Sequence, residues 1–141
     1  MTMVWAGRSR LVGRTIESMS IEDKNLARVR SLCLSLPETS EADSWGHPNF
    51  RAGKRTFAAF EWIKGRPSVA IHLGADAEAF LLQHDGSFET PYGRGKWISL
   101  WADSKLDNGL LEELIEQGYR SVALKRMIRT LEERSKPGNQ A

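Results

Sequence analysis

Residues 49–73 read NFRAGKRTFAAFEWIKGRPSVAIHL, and this stretch carries the clearest signal of the fold. Its last part, 68–73, alternates apolar side chains with small or polar ones, which is the period-two pattern of a half-buried strand. Gly53 and Gly65 interrupt the apolar runs where short turns would join strands, and strands joined in this way pair antiparallel. The stretch therefore predicts antiparallel strands at about 49–52, 55–62 and 68–73.

Outside this stretch, further strands are predicted at about 41–45 and 96–102. A helix is predicted before them, because Ser20 and Asp23 stand at the positions of a capping box. Apolar residues then recur at three- and four-residue steps until Leu36 and Pro37, where the proline ends the helical pattern.

The C-terminal part of the chain predicts three more helices. Asp76 starts a short helix that ends at Leu82. Ser104 with Asp107 is a second capping-box pattern and predicts the start of a helix that Gly118 interrupts. A last helix then carries one apolar stripe. The order of elements predicts an α+β fold, an antiparallel sheet with helices packed on one face.

Length and composition indicate one domain. The chain has 141 residues, of which 40% are hydrophobic and 27% are charged, as is ordinary for a globular protein. No apolar run approaches the roughly 18 residues needed to cross a bilayer, so no membrane partner is predicted. Cys33 is the only cysteine, which excludes an internal disulfide and favours a reducing compartment. We therefore predict a cytoplasmic protein.

The first residues differ from the rest. Residues 1–18 show no periodicity and predict a flexible leader, which is either native or an addition before a start at Met19. The domain is predicted to span 19–136, with a frayed tail at 137–141. Three arginines against Glu17 give the leader a charge equal to the whole net charge of +2. The neutral remainder argues against strong indiscriminate binding of nucleic acid, so any such binding must come from a local patch.

Several motifs resemble the MmcQ/YjbR family. They are LPETSE at 36–41, WGHPNFR at 45–51, GK at 53–54 with Phe57, YG at 92–93, KWISL at 96–100, YR at 119–120 and ALKR at 123–126. The resemblance implies a fold similar to that of CyaY, the bacterial frataxin. It also implies DNA binding through a pair of projecting hairpins. Frataxins hold iron with carboxylates on the first helix, where this chain has only Glu22 and Asp23, so no iron site is predicted.

Basic residues cluster in three places: the two predicted hairpin tips, the glycine-rich connection before the last strand, and the last helix. Projecting basic tips can contact phosphates, and Trp62 and Tyr92, if exposed, could stack on bases. Alternatively, the tips are charged only because they are solvated, and the last helix pairs with the acidic helix before it. The candidate nucleic-acid-binding residues are Arg51, Lys54, Arg55, Lys64, Arg66, Arg94, Lys96, Lys125 and Arg126.

The motif WGHP at 45–48 permits two interpretations. In the first, Trp45 fills core volume, Gly46 and Pro48 shape a bend, and His47 bonds within it. In the second, Trp45 and His47 form a pocket with Tyr92, and the chain is a small-ligand or protein-interaction domain without catalytic activity.

No catalytic residue, metal or cofactor is predicted. His47, His72 and His84 lack the spacing of zinc ligands. Cys33 lies on an apolar helix face, where a thiol is inert. Neither a nucleophile elbow nor a phosphate-binding glycine loop occurs, so nothing in the sequence supports enzymatic activity.

Overall fold

The computed structural model describes residues 19–135 of the chain. These residues form ten regular elements and a short 3-10 turn at Gly74–Asp76 before α2. The elements are α1 (Ile21–Leu34), β1 (Thr39–Ser44), β2 (His47–Ala52), β3 (Arg55–Ile63), β4 (Arg66–His72), α2 (Ala77–Gln83), β5 (Ser87–Glu89), β6 (Trp97–Trp101), α3 (Asn108–Val122) and α4 (Lys125–Arg134). The predictions for 1–18 and 137–141 lie outside the described residues.

The six strands form one antiparallel sheet in the order β1-β2-β3-β4-β6-β5. The first four strands are a meander, as the sequence predicts, and the helices pack against the sheet. The α+β prediction is therefore confirmed, while the likeness to CyaY stays a prediction. Within 19–135, no helix is long and apolar enough to span a membrane.

The hairpin turns explain why the strands hold their register. Trp45 and Gly46 both have positive φ, 56° and 81°, and so do Lys64 and Gly65, 51° and 82°. Two positive φ values in a two-residue connection are the requirement of a type I′ turn, whose twist matches that of the strands. Gly53 has a φ of 61° and supplies the left-handed residue of the turn between β2 and β3.

A bulge in β3 lies at Phe57, where the strand packs against the helices. Phe50 pairs with Ala58 and Arg51 pairs with Thr56, which leaves Phe57 as the extra residue. The Phe57 ring then meets Tyr119 of α3 edge to face, with ring centroids 5.8 Å apart. Both side chains are completely buried. The bulge therefore joins the middle of the sheet to the longest helix.

Gly118 is the place where α3 approaches the sheet. A Cβ atom at this position would lie 2.8 Å from Cγ2 of Ile71 and 3.2 Å from the carbonyl oxygen of His72. The prediction that Gly118 interrupts the helix is therefore wrong, because α3 continues through it to Val122. The glycine permits close packing and does not end the element.

Other local predictions have mixed outcomes. Ser20 does cap α1 and accepts a hydrogen bond from the backbone N–H of Asp23 at 3.1 Å. Ser104 does not cap α3; the cap is Asp107, whose side chain accepts from the N–H of Leu110 at 2.9 Å. The three-residue strand β5 was not predicted, because so short a segment has no readable period.

The substitution Gly118→Ala tests the close approach. Alanine normally stabilises a helix over glycine by about 1 kcal/mol. Here the added methyl group meets buried Ile71 and backbone oxygens, so we expect a net loss of about 1–2 kcal/mol in the free energy of unfolding. Urea denaturation measures the change.

Gly86→Ala is the matched control, because a Cβ atom at Gly86 has no neighbour within 4 Å. It should leave the midpoint nearly unchanged. A stabilised Gly118→Ala protein would contradict the packing described.

Candidate functional site

The two basic hairpin tips lie at opposite ends of the sheet. Lys54 precedes β3 and Lys64 follows it, and β3 has nine residues. At about 3.3 Å per residue, the two tips are separated by roughly 30 Å. The two tips therefore do not form one cluster of basic side chains, because turns in a meander alternate between the two ends. Their contact with phosphates stays a prediction.

At the end that carries Lys64, the neighbouring Arg66 is already engaged. Its Nε donates to Oδ2 of Asp103 at 2.7 Å, and its guanidinium lies 3.9 Å from the ring centroid of Trp101. The hydrogen-bonded pair raises the pKa of Arg66 and lowers that of Asp103. The ring of Trp101 also stacks on Phe88, with centroids 4.4 Å apart. Arg66 therefore serves a local contact and is a poor candidate for binding phosphate.

The other end of the sheet brings several predicted residues together. The turn between β2 and β3 meets the start of α4, since a Cβ atom at Gly53 would lie 2.8 Å from Cε of Met127. Lys54, Arg55 and Arg126 line one hollow of about 510 Å³ at this junction. Lys125 directly precedes Arg126.

His72 lies at the same end of the sheet, as the last residue of β4. Burial lowers the pKa of His72, and the nearby charges of Arg55 and Lys96 lower it further. His72 pairs with Trp97, so Lys96 stands at the beginning of β6 beside it. The His72 ring Nδ1 is 2.7 Å from Oγ of Ser121 at the end of α3. Arg55 and Lys96 therefore flank one histidine.

We call Lys54, Arg55, Lys96 and Lys125 the basic end. None of these four forms an ion pair with another described residue. Arg126 lies beside them, but its guanidinium is paired with the carboxylate of Glu38, with N–O distances of 3.0 Å.

The remaining candidates lie elsewhere. Arg51 is half-buried in β2, and its Nε is buried without a hydrogen-bond partner among residues 19–135. Arg94 is exposed in the connection before β6, with a φ of 52°. Arg120 belongs to α3 and pairs with Glu116 of the same helix and with Glu132 of α4, both at 3.0 Å. The ion pair between the last two helices therefore runs from an arginine of α3 to a glutamate of α4, which is the reverse of the predicted pairing.

The three predicted pocket residues line one depression at the opposite end from the basic end. The aromatic depression has a volume of about 410 Å³ and is lined by Ser44, Trp45, His47, Asn49, Glu61, Trp62, Ile63 and Tyr92. The interpretation in which Trp45 fills core volume is wrong, since Trp45 is 96% exposed. It stands at the tip of the turn between β1 and β2.

A buried carboxylate lies beside this depression. The hydroxyl of Tyr92 donates to Oε1 of Glu61, and the other oxygen, Oε2, is buried without a hydrogen-bond partner in the described part of the chain. Burial and this hydrogen bond raise the pKa of Tyr92. Tyr92 follows β5, and its hydrogen bond to Glu61 of β3 spans the two strands β6 and β4 that lie between β5 and β3. Sequence reasoning missed Glu61 because its partner is 31 positions away.

Two further features bear on the chemistry open to the described part of the chain. Cys33 is buried, and burial raises the pKa of its thiol. Among residues 19–135, no group of three or more His, Cys, Asp or Glu side chains is placed to hold a metal ion.

Comparison with known proteins bears on the fold and the family. A family model described as YjbR matches residues 34–121. No curated protein matches the sequence. Among solved structures, the chain is similar to the Deinococcus radiodurans protein DR2400, described with a DUF419 domain, at a TM-score of 0.60 and 18% identity. That similarity covers 82% of this chain and 94% of that chain, and it concerns the fold alone. Because the family model matches more than half of the sequence, the chain belongs to the YjbR family.

Proposed function

We propose that this domain binds DNA through the basic end. The proposal is supported by four cationic residues at one end of the sheet: Lys54 and Arg55 line the hollow, Lys96 lies with Arg55 near His72, and Lys125 begins α4. None of the four forms an ion pair among the described residues, and Glu38, which also lines the hollow, is paired with Arg126. Lysine and arginine contacts to phosphates supply most of the affinity of non-specific DNA binding. A neutral chain body restricts such binding to this one surface.

The start of α4 adds to the positive potential. The free N–H groups of a helix N-terminus carry a partial positive charge, which favours a nearby anion. The first turn of α4 contains Lys125 and Arg126 and no acidic residue. The helix terminus and the unpaired Lys125 therefore act in the same direction on a phosphate, while the charge of Arg126 is already balanced by Glu38.

The contact is expected to be with the DNA backbone. The basic end consists of flexible lysines and one arginine around a turn and a helix start, and no helix or ribbon in it is positioned to fill a groove. Backbone contacts position a protein on DNA without reading sequence. Lys64 and Arg66 do not belong to the proposed surface, because they lie at the other end of the sheet.

Salt dependence measures the number of phosphates contacted. If each of the four side chains neutralises one phosphate of a mixed-sequence duplex, log K should fall against log salt with a slope of about −3.6. The double variant Lys54→Ala/Lys96→Ala should flatten the slope by about 1.8. Fluorescence anisotropy between roughly 50 and 200 mM salt gives the slope.

The control is Lys64→Ala/Lys105→Ala, which removes two exposed lysines away from the basic end. Its slope should equal that of the unmodified chain. Equal flattening by both double variants, or absence of binding at low salt, would contradict the proposal.

His72 should report the bound phosphate. Arg55 and Lys96 lower the pKa of His72, and a phosphate bound between them would neutralise that effect. We therefore expect the pKa of His72 to rise when DNA binds, and the affinity to increase as pH falls through the range where His72 titrates. Two-dimensional NMR of the imidazole C–H signals, with and without duplex, measures both pKa values.

His84 provides the internal comparison, since it stacks on Phe80 away from the basic end. Its imidazole C–H chemical shifts at a fixed pH should not change when the duplex is added. An unchanged pKa of His72 in the complex would mean that the phosphate binds elsewhere.

A further inference from the structure

Three large aromatic side chains around the aromatic depression are exposed to solvent. Trp45 is 96% exposed, Trp62 is 48% exposed and Tyr92 is 59% exposed. Exposed aromatic side chains grouped around a concavity are typical of binding sites, because they offer large contact areas with little loss of side-chain entropy. The aromatic depression is thus a candidate site that is separate from the basic end.

The turn that carries Trp45 holds this side chain outward at an energetic cost. A bulky residue with a φ of 56° is uncommon, since the left-handed region is disfavoured for side chains with a Cβ atom. Such conformations persist where the surrounding structure imposes them, and they concentrate at ligand-binding sites. Here the turn between β1 and β2 imposes it, and the indole projects over the depression.

Glu61 supplies the charge of the depression. The residue is only 8% exposed, and its Oε2 atom is buried without a hydrogen-bond partner among the described residues. A buried carboxylate oxygen without a partner is costly, so its presence needs a compensating group. Tyr92 compensates only Oε1. A positive charge bound in the depression would compensate the unpartnered Oε2 atom of Glu61.

The lining favours a cation over an anion. Of residues 19–135, Glu61 is the only carboxylate that lines the depression, and no lysine or arginine of this range lines it. The faces of tryptophan and tyrosine rings also attract cations, and several rings around one ammonium group form the known type of aromatic cage. A nucleic-acid strand would bring phosphates toward Glu61 and is therefore disfavoured at this site.

We propose that the aromatic depression binds a small organic cation, an alkylammonium group held by Trp45, Trp62 and Tyr92 above the carboxylate of Glu61. A volume of about 410 Å³ suits a small molecule, since ligand sites commonly measure about 300–1,000 Å³. The proposal does not depend on DNA binding, because the depression and the basic end lie at opposite ends of the sheet.

The test compares two ligands of nearly equal shape and different charge. Choline carries a trimethylammonium group, and 3,3-dimethyl-1-butanol carries the neutral tert-butyl group in the same place. Titration of each into the full chain is followed by NMR shifts of the indole N–H signals and by calorimetry. We expect choline to bind at least about tenfold more tightly than the neutral alcohol, because both the aromatic rings and Glu61 act on the charge.

Two variants locate the site. Trp45→Ala removes an exposed side chain and should leave folding intact, while choline affinity falls by about 2- to 30-fold. Glu61→Gln keeps the shape and removes the charge, and it should reduce the preference for choline over the neutral alcohol to the part that the aromatic rings supply. Leu82→Ala, on a leucine that is 79% exposed on α2, is the control and should bind as the unmodified chain does.

Equal affinity for the two ligands, or no binding of choline, would overturn the proposal. So would a Trp45→Ala protein that binds choline like the Leu82→Ala control. Tighter binding of a short trimethyllysine peptide than of choline would overturn the assignment to a small molecule. If Glu61→Gln fails to fold by circular dichroism, the ligand pair and Trp45→Ala still decide the question.

Discussion

The contact between Gly118 of α3 and Ile71 of β4 sets the distance between the helices and the sheet. At this point the helix backbone lies so close that a single Cβ atom would be 2.8 Å from the isoleucine side chain. One residue further, Tyr119 meets Phe57 edge to face and donates its hydroxyl to the carbonyl oxygen of Pro37 at 2.8 Å. These contacts hold α3 against the sheet and bring the end of the helix, with Ser121, beside His72. The environment of His72 is therefore a consequence of helix packing.

The meander topology places the basic residues and the exposed aromatic residues at opposite ends of the sheet. Each tight turn reverses the chain, so consecutive turns alternate between the ends of the sheet. The turns at Trp45 and Lys64 lie at one end, while the turn at Gly53 lies at the other with the start of α4. Unpaired lysines gather at the second end, and exposed aromatic rings with a buried carboxylate gather at the first. Two surfaces of different chemical character, both proposed above as binding sites, thus follow from one topological rule.

The sequence predicts the local features of this structure and misses those that depend on tertiary distance. The strand at 68–73, the glycine turns and the cap at Ser20 are signalled by neighbouring residues, and the structure contains these elements. The prediction that this strand is half-buried is wrong, because Ser68 and Ala70 are as completely buried as Val69 on the other face. Gly118 was misread because a glycine that disfavours a helix and a glycine that permits close packing look the same in a single chain. The basic residues were grouped by sequence proximity, although alternation of the turns separates Lys54 from Lys64. Glu61 has no local signal, since Tyr92 reaches it from another strand connection.

The edges of the sheet have a consequence for association between copies of the chain. An open edge strand presents unpaired N–H and C=O groups that can template pairing with another sheet. Here one edge is β1, whose sequence TSEADS is polar and carries two acidic side chains, and Glu41 in it is tied to Arg30 of α1 at 2.7 Å. The other edge is β5, which has only three residues. A charged edge and a very short one are both poor templates, so the architecture itself discourages sheet-to-sheet aggregation.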